Sequence, residues 1–337
     1  MTATAPRPDT MLALLVGHGP EWALTKVPVP QPSRGEVLIR NRASATNNAD
    51  LPMLTGADPT DGGTGDEAIA GFEYAGEIAA VGPDAGDWQV GDAVMGTYPS
   101  AFAEYLVADH RFVLPRPDGI APELACALPT ALLTEFGALS VADFRPGHIV
   151  LSTGATSGIG MIGLQIAKVL GASQVIATTR SEEKRDLLVR LGADTVIVDG
   201  ADADEELSAA VLAATDGHGA DVVLDHVAGA TFAACLSAAA IDGQVVNIGR
   251  LAGPSSTIDI DALSYRHLTV HGVSFGFARD WETVPILDGL RTNVLPAVGR
   301  GDITPVVDRT VSIAKFQDAL DRLRTGDALG KVVLNFP

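Results

Sequence analysis

The stretch HIVLSTGATSGIGMIGLQIAK, residues 148–168, decides how the rest of the chain is interpreted. A β-rich apolar run, His148–Thr153, enters a glycine-rich turn, and the segment Ile159–Leu170 leaves that turn as a predicted helix. Glycine lets the backbone turn tightly and approach a pyrophosphate closely, while a helix N-terminus offers free N–H groups. The stretch therefore predicts a phosphate-binding turn for a dinucleotide rather than a turn without a ligand. Its candidate contacts are Gly154, Thr156, Ser157, Gly158, Ile159 and Gly160.

Outward from this turn, strand-like and helix-like segments alternate. The predicted strands that follow it are Gln174–Thr179, Thr195–Val198, Asp221–Asp225, Gln244–Ile248 and Leu268–Val273, and helix-like segments separate most of them. Alternation of this kind predicts a parallel sheet with helices on both faces. The sequence thus predicts an α/β fold with a Rossmann doubly wound parallel-sheet domain, which we assign to residues 126–274.

The residues before this domain have a different pattern. Short strands such as Glu36–Ala43 and Tyr74–Val81, broken by Gly and Pro, predict an irregular β barrel. The Gly- and Asp-rich segment Thr55–Glu67 predicts a surface loop, and whether it closes over a site stays open. After residue 274 the pattern predicts a helix over Trp281–Arg300, then a strand, a helix and a strand. Periodicity alone leaves open whether these elements extend the parallel sheet or return to the first domain.

The end of the second predicted strand indicates which dinucleotide binds. NAD-binding sites usually have Asp or Glu there, to hold the ribose 2′-hydroxyl. This chain instead has Thr179, Arg180, Ser181 and, one turn into the next helix, Lys184. A guanidinium, hydroxyls and an ammonium suit a 2′-phosphate dianion, so we expect NADPH as the cofactor. The alternative is that both cations pair with the neighbouring Glu182 or Glu183.

The composition limits the classes of partner. The 23 Lys and Arg residues against 42 Asp and Glu residues give a net charge of −19, so we expect neither nucleic acid nor a membrane surface as a partner. Cys126 and Cys235 lie in apolar runs, which indicates buried thiols and a reducing compartment. The first ten residues, MTATAPRPDT, lack the apolar core of a signal peptide, and we see no uncharged apolar stretch of about 18 residues. A cytoplasmic location is therefore expected.

The segment TGATSGIG, Thr153–Gly160, also matches the TGxxxGxG pattern of short-chain dehydrogenases. Those enzymes need a Tyr-x-x-x-Lys pair for proton transfer, and none of the four tyrosines of this chain has a lysine four residues later. The motif also lies behind a β-rich region instead of near the N-terminus. We therefore do not assign the chain to the short-chain dehydrogenases.

A series of short segments resembles the medium-chain dehydrogenase/reductase superfamily, and most closely its zinc-independent quinone oxidoreductase branch. In order, they are TNNAD (46–50), GFEYAGEI (71–78), VGDAVMG (90–96), FAEY (102–105), LQIAK (164–168), DVVLDHVAG (221–229), VVNIG (245–249) and GKVVL (330–334). The resemblance implies a GroES-like first domain over residues 1–125, to which residues 275–337 return, and a cleft between the domains for the nicotinamide. It also implies a homodimer paired through Leu268–Val273.

The zinc-dependent branch of that superfamily would need a Cys near Thr46–Asp50 and a His in a Gly-His-Glu triplet. This chain has asparagines at the first place and Phe72 at the second, and two cysteines are too few for a structural four-cysteine site. His267 and His271 share a strand face but lack a third ligand. We therefore expect no metal.

The resemblance also assigns site residues. Asn47 or Asn48 and Asp50 would line the cleft as candidate catalytic residues, although a turn or helix-capping role suits them equally. Thr134 would lie by the nicotinamide carboxamide, and Lys331 is open between a cofactor contact and a solvated strand-end charge. The residues that would flank the nicotinamide ribose and ring are Val227, Ile248, Gly249 and Phe275.

The expected reaction is hydride transfer from NADPH to a small quinone or conjugated enone without a metal. The nicotinamide supplies the hydride, and the developing oxyanion needs hydrogen-bond donors, for which the Asn47 or Asn48 amide is a candidate. The proton donor is open among water, His226 and Tyr98. An enoyl-thioester reductase and a secondary-metabolite tailoring reductase are close alternatives. A non-catalytic NADPH-binding protein is a third, because the tyrosine that quinone reductases often carry after Asn-x-x-Asp is missing from residues 51–54.

Overall fold

The computed structural model describes residues 8–15, 24–51, 68–198, 203–275 and 279–337. The predicted surface loop at residues 55–67 lies outside them. The chain divides into two compact units, the first formed by residues 1–130 with 306–337 and the second by residues 131–305. The second unit therefore begins and ends later than the domain at 126–274 that the sequence predicts.

The described strands and helices are numbered here in chain order. The strands are β1 (Thr10–Leu14), β2 (Leu24–Pro28), β3 (Glu36–Ala45), β4 (Glu73–Val81), β5 (Ala93–Thr97), β6 (Tyr105–Asp109), β7 (Val113–Pro115), β8 (Ile149–Ser152), β9 (Gln174–Thr179), β10 (Thr195–Val198), β11 (Ala220–Asp225), β12 (Ala239–Asn247), β13 (Thr269–Gly272), β14 (Val307–Ser312) and β15 (Lys331–Asn335). The α-helices are α1 (Pro122–Ala125), α2 (Pro129–Val141), α3 (Gly160–Val169), α4 (Arg185–Arg190), α5 (Ala203–Ala214), α6 (Ala230–Ala238), α7 (Ile260–Tyr265), α8 (Asp280–Asn293), α9 (Leu295–Arg300) and α10 (Phe316–Arg324).

In the first unit, β3 is the central strand of a seven-stranded sheet. The order is β14-β15-β3-β4-β5-β7, and β6 also pairs with β3. Val37, Leu38 and Ile39 are buried in succession on β3 instead of alternating with exposed residues. The reason is that both faces of the strand are covered: Val37 and Ile39 belong to one apolar cluster and Leu38 to another. The C-terminal strand β15 reaches β3 as an antiparallel neighbour, with Leu334 opposite Ser44.

In the second unit, six parallel strands form one sheet in the order β10-β9-β8-β11-β12-β13. Counted from β8, this is the 3-2-1-4-5-6 order of a doubly wound dinucleotide-binding sheet. The topological switch point lies between β8 and β11, which pair in parallel with Val223 opposite Leu151. Residues that follow these two strands therefore emerge at the same edge of the sheet, where ligands of such sheets bind.

The elements after residue 275 correct two expectations. The predicted helix over residues 281–300 is interrupted at Val294, between α8 and α9, because Pro296 lacks the N–H that a continuous helix needs. The predicted return to the first unit at residue 275 begins instead at residue 306. Residues 279–305 stay with the second unit because they pack on α2: the Phe136 ring lies 2.7 Å from the place that a Cβ would take at Gly289.

The segment Pro122–Val141 is the one described segment long and apolar enough to cross a membrane by length and composition. Its mean hydropathy is 1.6, but 67% of the segment is buried inside the molecule. Glu123 and Glu135 interrupt its apolar run. Buried core helices meet the same criteria, so the segment is weak evidence for a membrane span.

Candidate functional site

The glycine turn between β8 and α3 is the first part of the candidate site. Gly154 has φ +58°, in the left-handed region that favours glycine. A Cβ at Gly160 would lie 2.9 Å from the Cα of Ala155, so glycine lets the start of α3 pack against the turn. The turn is fixed to β9, since the backbone N–H groups of Gly154 and Ala155 donate to the hydroxyl (3.2 Å) and carbonyl (3.1 Å) of Thr178.

The residues at the tip of the turn are half-exposed, as a ligand-binding turn requires. Thr156, Ser157, Gly158 and Ile159 all have intermediate burial. The Ser157 hydroxyl accepts a hydrogen bond of 3.0 Å from the Gly160 N–H. It thereby caps the start of α3 and keeps its own hydrogen available for donation to a ligand.

The end of β9 presents the residues that the sequence assigns to a 2′-phosphate. Thr179 is buried, and its hydroxyl accepts from the Ser181 N–H at 3.2 Å. Within the residues that the structure describes, Arg180 and Lys184 form no ion pair. The Glu182 carboxylate is bound by Arg185, at 2.5 and 2.9 Å. Glu182 is thus already neutralised by a third cation. Among the described residues Glu183 forms no ion pair with Arg180 or Lys184 either, so both assigned cations are available.

A buried polar network lies behind the turn. The Thr153 hydroxyl donates to the Asp225 carboxylate at 2.8 Å and accepts from the His226 N–H at 3.1 Å. The His226 ring bonds to the Thr153 carbonyl through Nδ1 at 2.8 Å and to the Glu135 carboxylate through Nε2 at 2.5 Å. Both ring nitrogens are occupied and the side chain is buried, so His226 is poorly placed to donate a proton to a substrate. The sequence analysis did not single out Glu135, which lies 91 residues away along the chain.

Opposing effects set the pKa of His226. Burial alone would lower it, but the Glu135 carboxylate, the Thr153 carbonyl and Asp225 together outweigh that effect and raise the pKa above its ordinary value. The imidazolium form is therefore favoured inside this network.

The residues assigned to the nicotinamide follow the carboxyl ends of strands of the six-stranded sheet, except for Thr134, which lies on α2. The N–H groups of Ile248 and Gly249 donate to the Asp225 carbonyl at 2.8 and 3.1 Å. Val227 is half-buried, and its side chain lies 3.0 Å from the place of a Cβ at Gly154. Phe275 is buried against Gly137 of α2, and Thr134, also on α2, is half-buried. The structure thus places all five within the second unit.

A cavity of about 420 Å³ lies at the carboxyl ends of β12 and β13. Its lining residues are Asn247, Arg250, Gly272, Val273, Ser274 and Arg279. Arg279 is already paired with Glu282 at 2.6 Å and lies over the Trp281 ring, whereas Arg250 is exposed.

The first unit holds a buried polar cluster of its own. The Lys331 ammonium donates to the Glu73 carboxylate at 2.8 Å and also to the Asn47 side-chain oxygen. The Asn47 amide donates to the same carboxylate at 3.0 Å, and the Thr130 N–H donates to its other oxygen at 2.8 Å. Lys331 is therefore not a solvated strand-end charge, because its ammonium is buried and neutralised by the Glu73 carboxylate.

Asp50 and Asn48 complete this region. Asp50 is fully buried, and its carboxylate accepts from the Asn47 N–H at 2.6 Å while its own N–H bonds to the Asn47 carbonyl. These bonds give Asp50 a turn-closing role. Burial raises the pKa of Asp50 to about 7, against the lowering effects of the Asn47 N–H and Lys331. The Asn48 side chain is exposed.

The two predicted buried thiols are both buried in the structure. Burial raises the pKa of the Cys126 thiol well above its ordinary value, and the nearby Glu73 adds to that rise. A protonated, enclosed thiol is a packing residue.

Among the described residues of the first unit, the polar cluster around Glu73 offers no ligand set for a zinc ion. No group of three or more His, Cys, Asp or Glu residues in the described part of the chain is placed to hold a metal. The carboxylate of Glu73 is already neutralised by the Lys331 ammonium, which would repel a dication at close range.

Two family models match the chain. They are the alcohol dehydrogenase GroES-like domain over residues 33–118 and the zinc-binding dehydrogenase over residues 158–287. The crystal structure of an alcohol dehydrogenase superfamily protein from Novosphingobium aromaticivorans is 30% identical, covers 97% of this chain and 100% of that chain, and has a TM-score of 0.86. This chain belongs to the alcohol dehydrogenase superfamily. These are the medium-chain dehydrogenases/reductases that the motifs resemble, and the predicted fold class, a GroES-like domain with a Rossmann domain, is confirmed.

Two mycobacterial structures are also similar over the same extent. The structure of Rv1454c complexed with NADPH is 30% identical and covers 97% of this chain and 100% of that chain, with a TM-score of 0.82. A structure of a mycobacterial quinone oxidoreductase is 28% identical over 97% of this chain and 100% of that chain, with a TM-score of 0.87.

Among curated proteins, a mycocerosic acid synthase-like polyketide synthase of Mycobacterium tuberculosis is 29% identical over 318 residues. The match covers 94% of this chain and 15% of that protein. The chain therefore spans about one seventh of the length of that curated relative.

Proposed function

We propose that the chain binds NADPH at the glycine turn of the second unit and reduces a small quinone or conjugated enone. The observation that carries the proposal is the availability of Arg180 and Lys184 at the end of β9, beside a carboxylate that Arg185 already neutralises. A guanidinium and an ammonium that form no ion pair with any described residue are suited to a phosphate dianion. NADPH in the 30% identical mycobacterial complex supports the same cofactor.

In this proposal the glycine turn and the end of β9 bind different parts of NADPH. The N-terminus of α3 and the Ser157 hydroxyl hold the pyrophosphate. Arg180 and Lys184, with the hydroxyls of Thr179 and Ser181, hold the 2′-phosphate. The proposed contacts of the nicotinamide half remain Thr134, Val227, Ile248, Gly249 and Phe275.

Bound NADPH would supply the hydride from its nicotinamide ring. The chain orients that ring, excludes water, and offers hydrogen-bond donors to the oxyanion that develops on the acceptor. Asn47 is less suited to this last task than the sequence suggests, because its amide already donates to Glu73. The exposed Asn48 is therefore the remaining candidate. A metal-free reaction favours acceptors in which the charge spreads over a conjugated system.

A second candidate acceptor is an enoyl thioester. The observation that favours it is the match of almost the whole chain to a segment of a polyketide synthase. Hydride addition to the β-carbon of an enoyl thioester has the same electronic demand as addition to an enone, so the residues proposed above would serve both.

Calorimetry with NADPH and NADH, followed by steady-state NADPH oxidation with quinones, enones and enoyl thioesters, tests the proposal. We expect tight NADPH binding, weaker NADH binding and turnover with at least one conjugated acceptor in protein stripped of metal by a chelator. Tight binding without turnover on any acceptor would favour a non-catalytic NADPH-binding protein. Loss of turnover on chelation, restored by zinc, would contradict the metal-free reaction.

A further inference from the structure

A buried acid–base pair, Glu135 with His226, lies directly behind the glycine turn. Glu135 is 0% exposed and His226 is 4% exposed, and their side chains meet at 2.5 Å. The two residues come from different elements: Glu135 from the middle of α2, His226 from the end of β11. The pair therefore connects a core helix to the edge of the sheet where the turn begins.

The hydrogen bonds fix how many protons the pair holds. Nδ1 of His226 faces the Thr153 carbonyl, which only accepts, so this nitrogen carries a hydrogen. Nε2 faces the Glu135 carboxylate, so the pair shares one more proton between these two atoms. With that proton the pair is neutral overall. Without it, a negative charge is left in the interior, close to Asp225.

The pair is incompletely hydrogen-bonded, which argues against a purely structural role. The second carboxylate oxygen of Glu135 has no hydrogen-bond partner among the described residues. It lies 2.3 Å from the place that a Cβ would take at Gly163 of α3, so only glycine there leaves room for the carboxyl group. Buried ion pairs are often no more stabilising than apolar residues of similar volume. A half-satisfied buried carboxylate needs a separate reason to be there.

The contacts of Thr153 point to that reason. Its carbonyl bonds to the His226 ring, and its hydroxyl bonds to Asp225 and to the His226 N–H. Gly154, the next residue, has the positive φ that starts the turn. The Thr153–Gly154 peptide is therefore held from one side by Thr178 of β9 and from the other by His226, whose ring is oriented by Glu135.

We propose that Glu135 and His226 are positioning residues that hold the glycine turn in its pyrophosphate-binding shape, and that NADPH affinity depends on the proton they share. This inference rests on the proposed function. Neither residue touches the cofactor in this proposal: Glu135 acts through His226, and His226 acts through Thr153. The charged groups that face the His226 ring are Glu135 from α2 and Asp225 from β11. Both favour the imidazolium, so the shared proton and the tight binding are lost together as the pH rises above the ordinary pKa of histidine.

The first test compares three variants of the 337-residue chain with the unsubstituted protein. Glu135→Gln keeps a side chain that can hydrogen-bond but removes the charge, and His226→Gln removes the ring. Replacing both residues by leucine, E135L/H226L, removes the pair without leaving a buried charge, so this variant should fold with stability close to that of the unsubstituted protein. We expect each to weaken NADPH binding about tenfold, with KM for NADPH rising more than kcat falls. In E135Q, the affinity for NADPH should no longer decrease as the pH rises.

Thr215→Val is the matched control. Thr215 is also buried and hydrogen-bonded, to Val211 and Gly219, but it precedes the amino end of β11, at the opposite end of that strand from the turn. It should lower the melting temperature and leave the dissociation constant of NADPH unchanged.

A second readout does not depend on the cofactor. Deuterium uptake at the amides of residues 153–160 should be faster in all three pair variants than in the parent protein, and unchanged in T215V. Unaltered uptake, or NADPH affinity equal to that of the parent in a folded E135L/H226L, would overturn the inference. Absence of NADPH binding in the parent, with the expected change in uptake, would overturn the proposed function and leave the positioning of the turn intact.

Discussion

Replacing Arg180 by alanine should separate NADPH from NADH. The 2′-phosphate carries nearly two negative charges at neutral pH or above, and hydrogen bonds to charged groups are worth about 1.5–3 kcal/mol net. Arg180 is exposed, which places its contribution at the lower end of this range, equivalent to about tenfold in affinity. Adding Lys184→Ala should bring the loss to about a hundredfold if the two contributions add.

Titration calorimetry with both dinucleotides, at low and high salt, measures this effect. The affinity for NADPH should fall and become less dependent on salt in the variant, while the affinity for NADH should stay the same. Arg190→Ala is the control on the same helix. Arg190 is an exposed cation in the last turn of α4, so its loss removes one positive charge but leaves the Arg185–Glu182 pair intact, and should change NADPH affinity by about twofold or less. Equal losses for NADPH and NADH in Arg180→Ala, or a larger loss in the control, would refute the assignment of the 2′-phosphate to Arg180.

Three further predictions concern the first unit and the edge strand. Lys331→Met should lower the free energy of unfolding by about 3–5 kcal/mol, because it leaves the Glu73 carboxylate buried without its cation. A denaturant titration in which the free energy of unfolding falls by less than about 1 kcal/mol would contradict this. The raised pKa of Asp50 means that the folded protein binds this proton more tightly than the unfolded chain, so stability should fall as the pH rises from 3.8 to about 7. Asp50→Asn should flatten that part of the melting-temperature profile, and an unchanged slope would show that Asp50 is not its source. The strand β13, at the edge of the six-stranded sheet, is the expected dimer contact, and light scattering that shows a monomer mass at all concentrations would count against a homodimer.

The sequence predicts the fold where the signals are local, as in the strand–turn–helix motif and the alternation of strands and helices after it. The glycine turn predicts a strand, a bend and a helix, and the structure has them as β8, Gly154 and α3. The alternation after it predicts the parallel sheet, because each strand–helix step is a local signal. The break at Val294 was not predicted, because a proline does not by itself locate a helix end: Pro285 lies inside α8, whereas Pro296 follows the break.

The buried pairs could not be predicted in the same way. Glu135 and His226 are 91 residues apart, and Glu73 and Lys331 are 258 residues apart. Each charge alone resembles a solvated residue, and only the tertiary fold shows that it has a buried partner. The place where the chain returns to the first unit is equally non-local, because it depends on the packing of α8 on α2.

Zinc independence, the homodimer and the cytoplasmic location stay predictions. So do the individual roles of the residues assigned to the nicotinamide. Metal analysis of the purified protein and a complex with NADPH and an acceptor analogue test the first and the last of these.

The pairing of β15 with β3 has a consequence for how the protein is made. Residues 333–335 of β15 lie opposite residues 43–45, so this part of the sheet cannot form until β15 has been synthesised, after all the strands of the second unit. The strands of the second unit, in contrast, are contiguous in sequence between residues 149 and 272. Contacts between distant residues form slowly, and domains fold during synthesis as their residues become available. The second unit should therefore reach its native form on the ribosome first, and the sheet that begins nearest the N-terminus should be completed last.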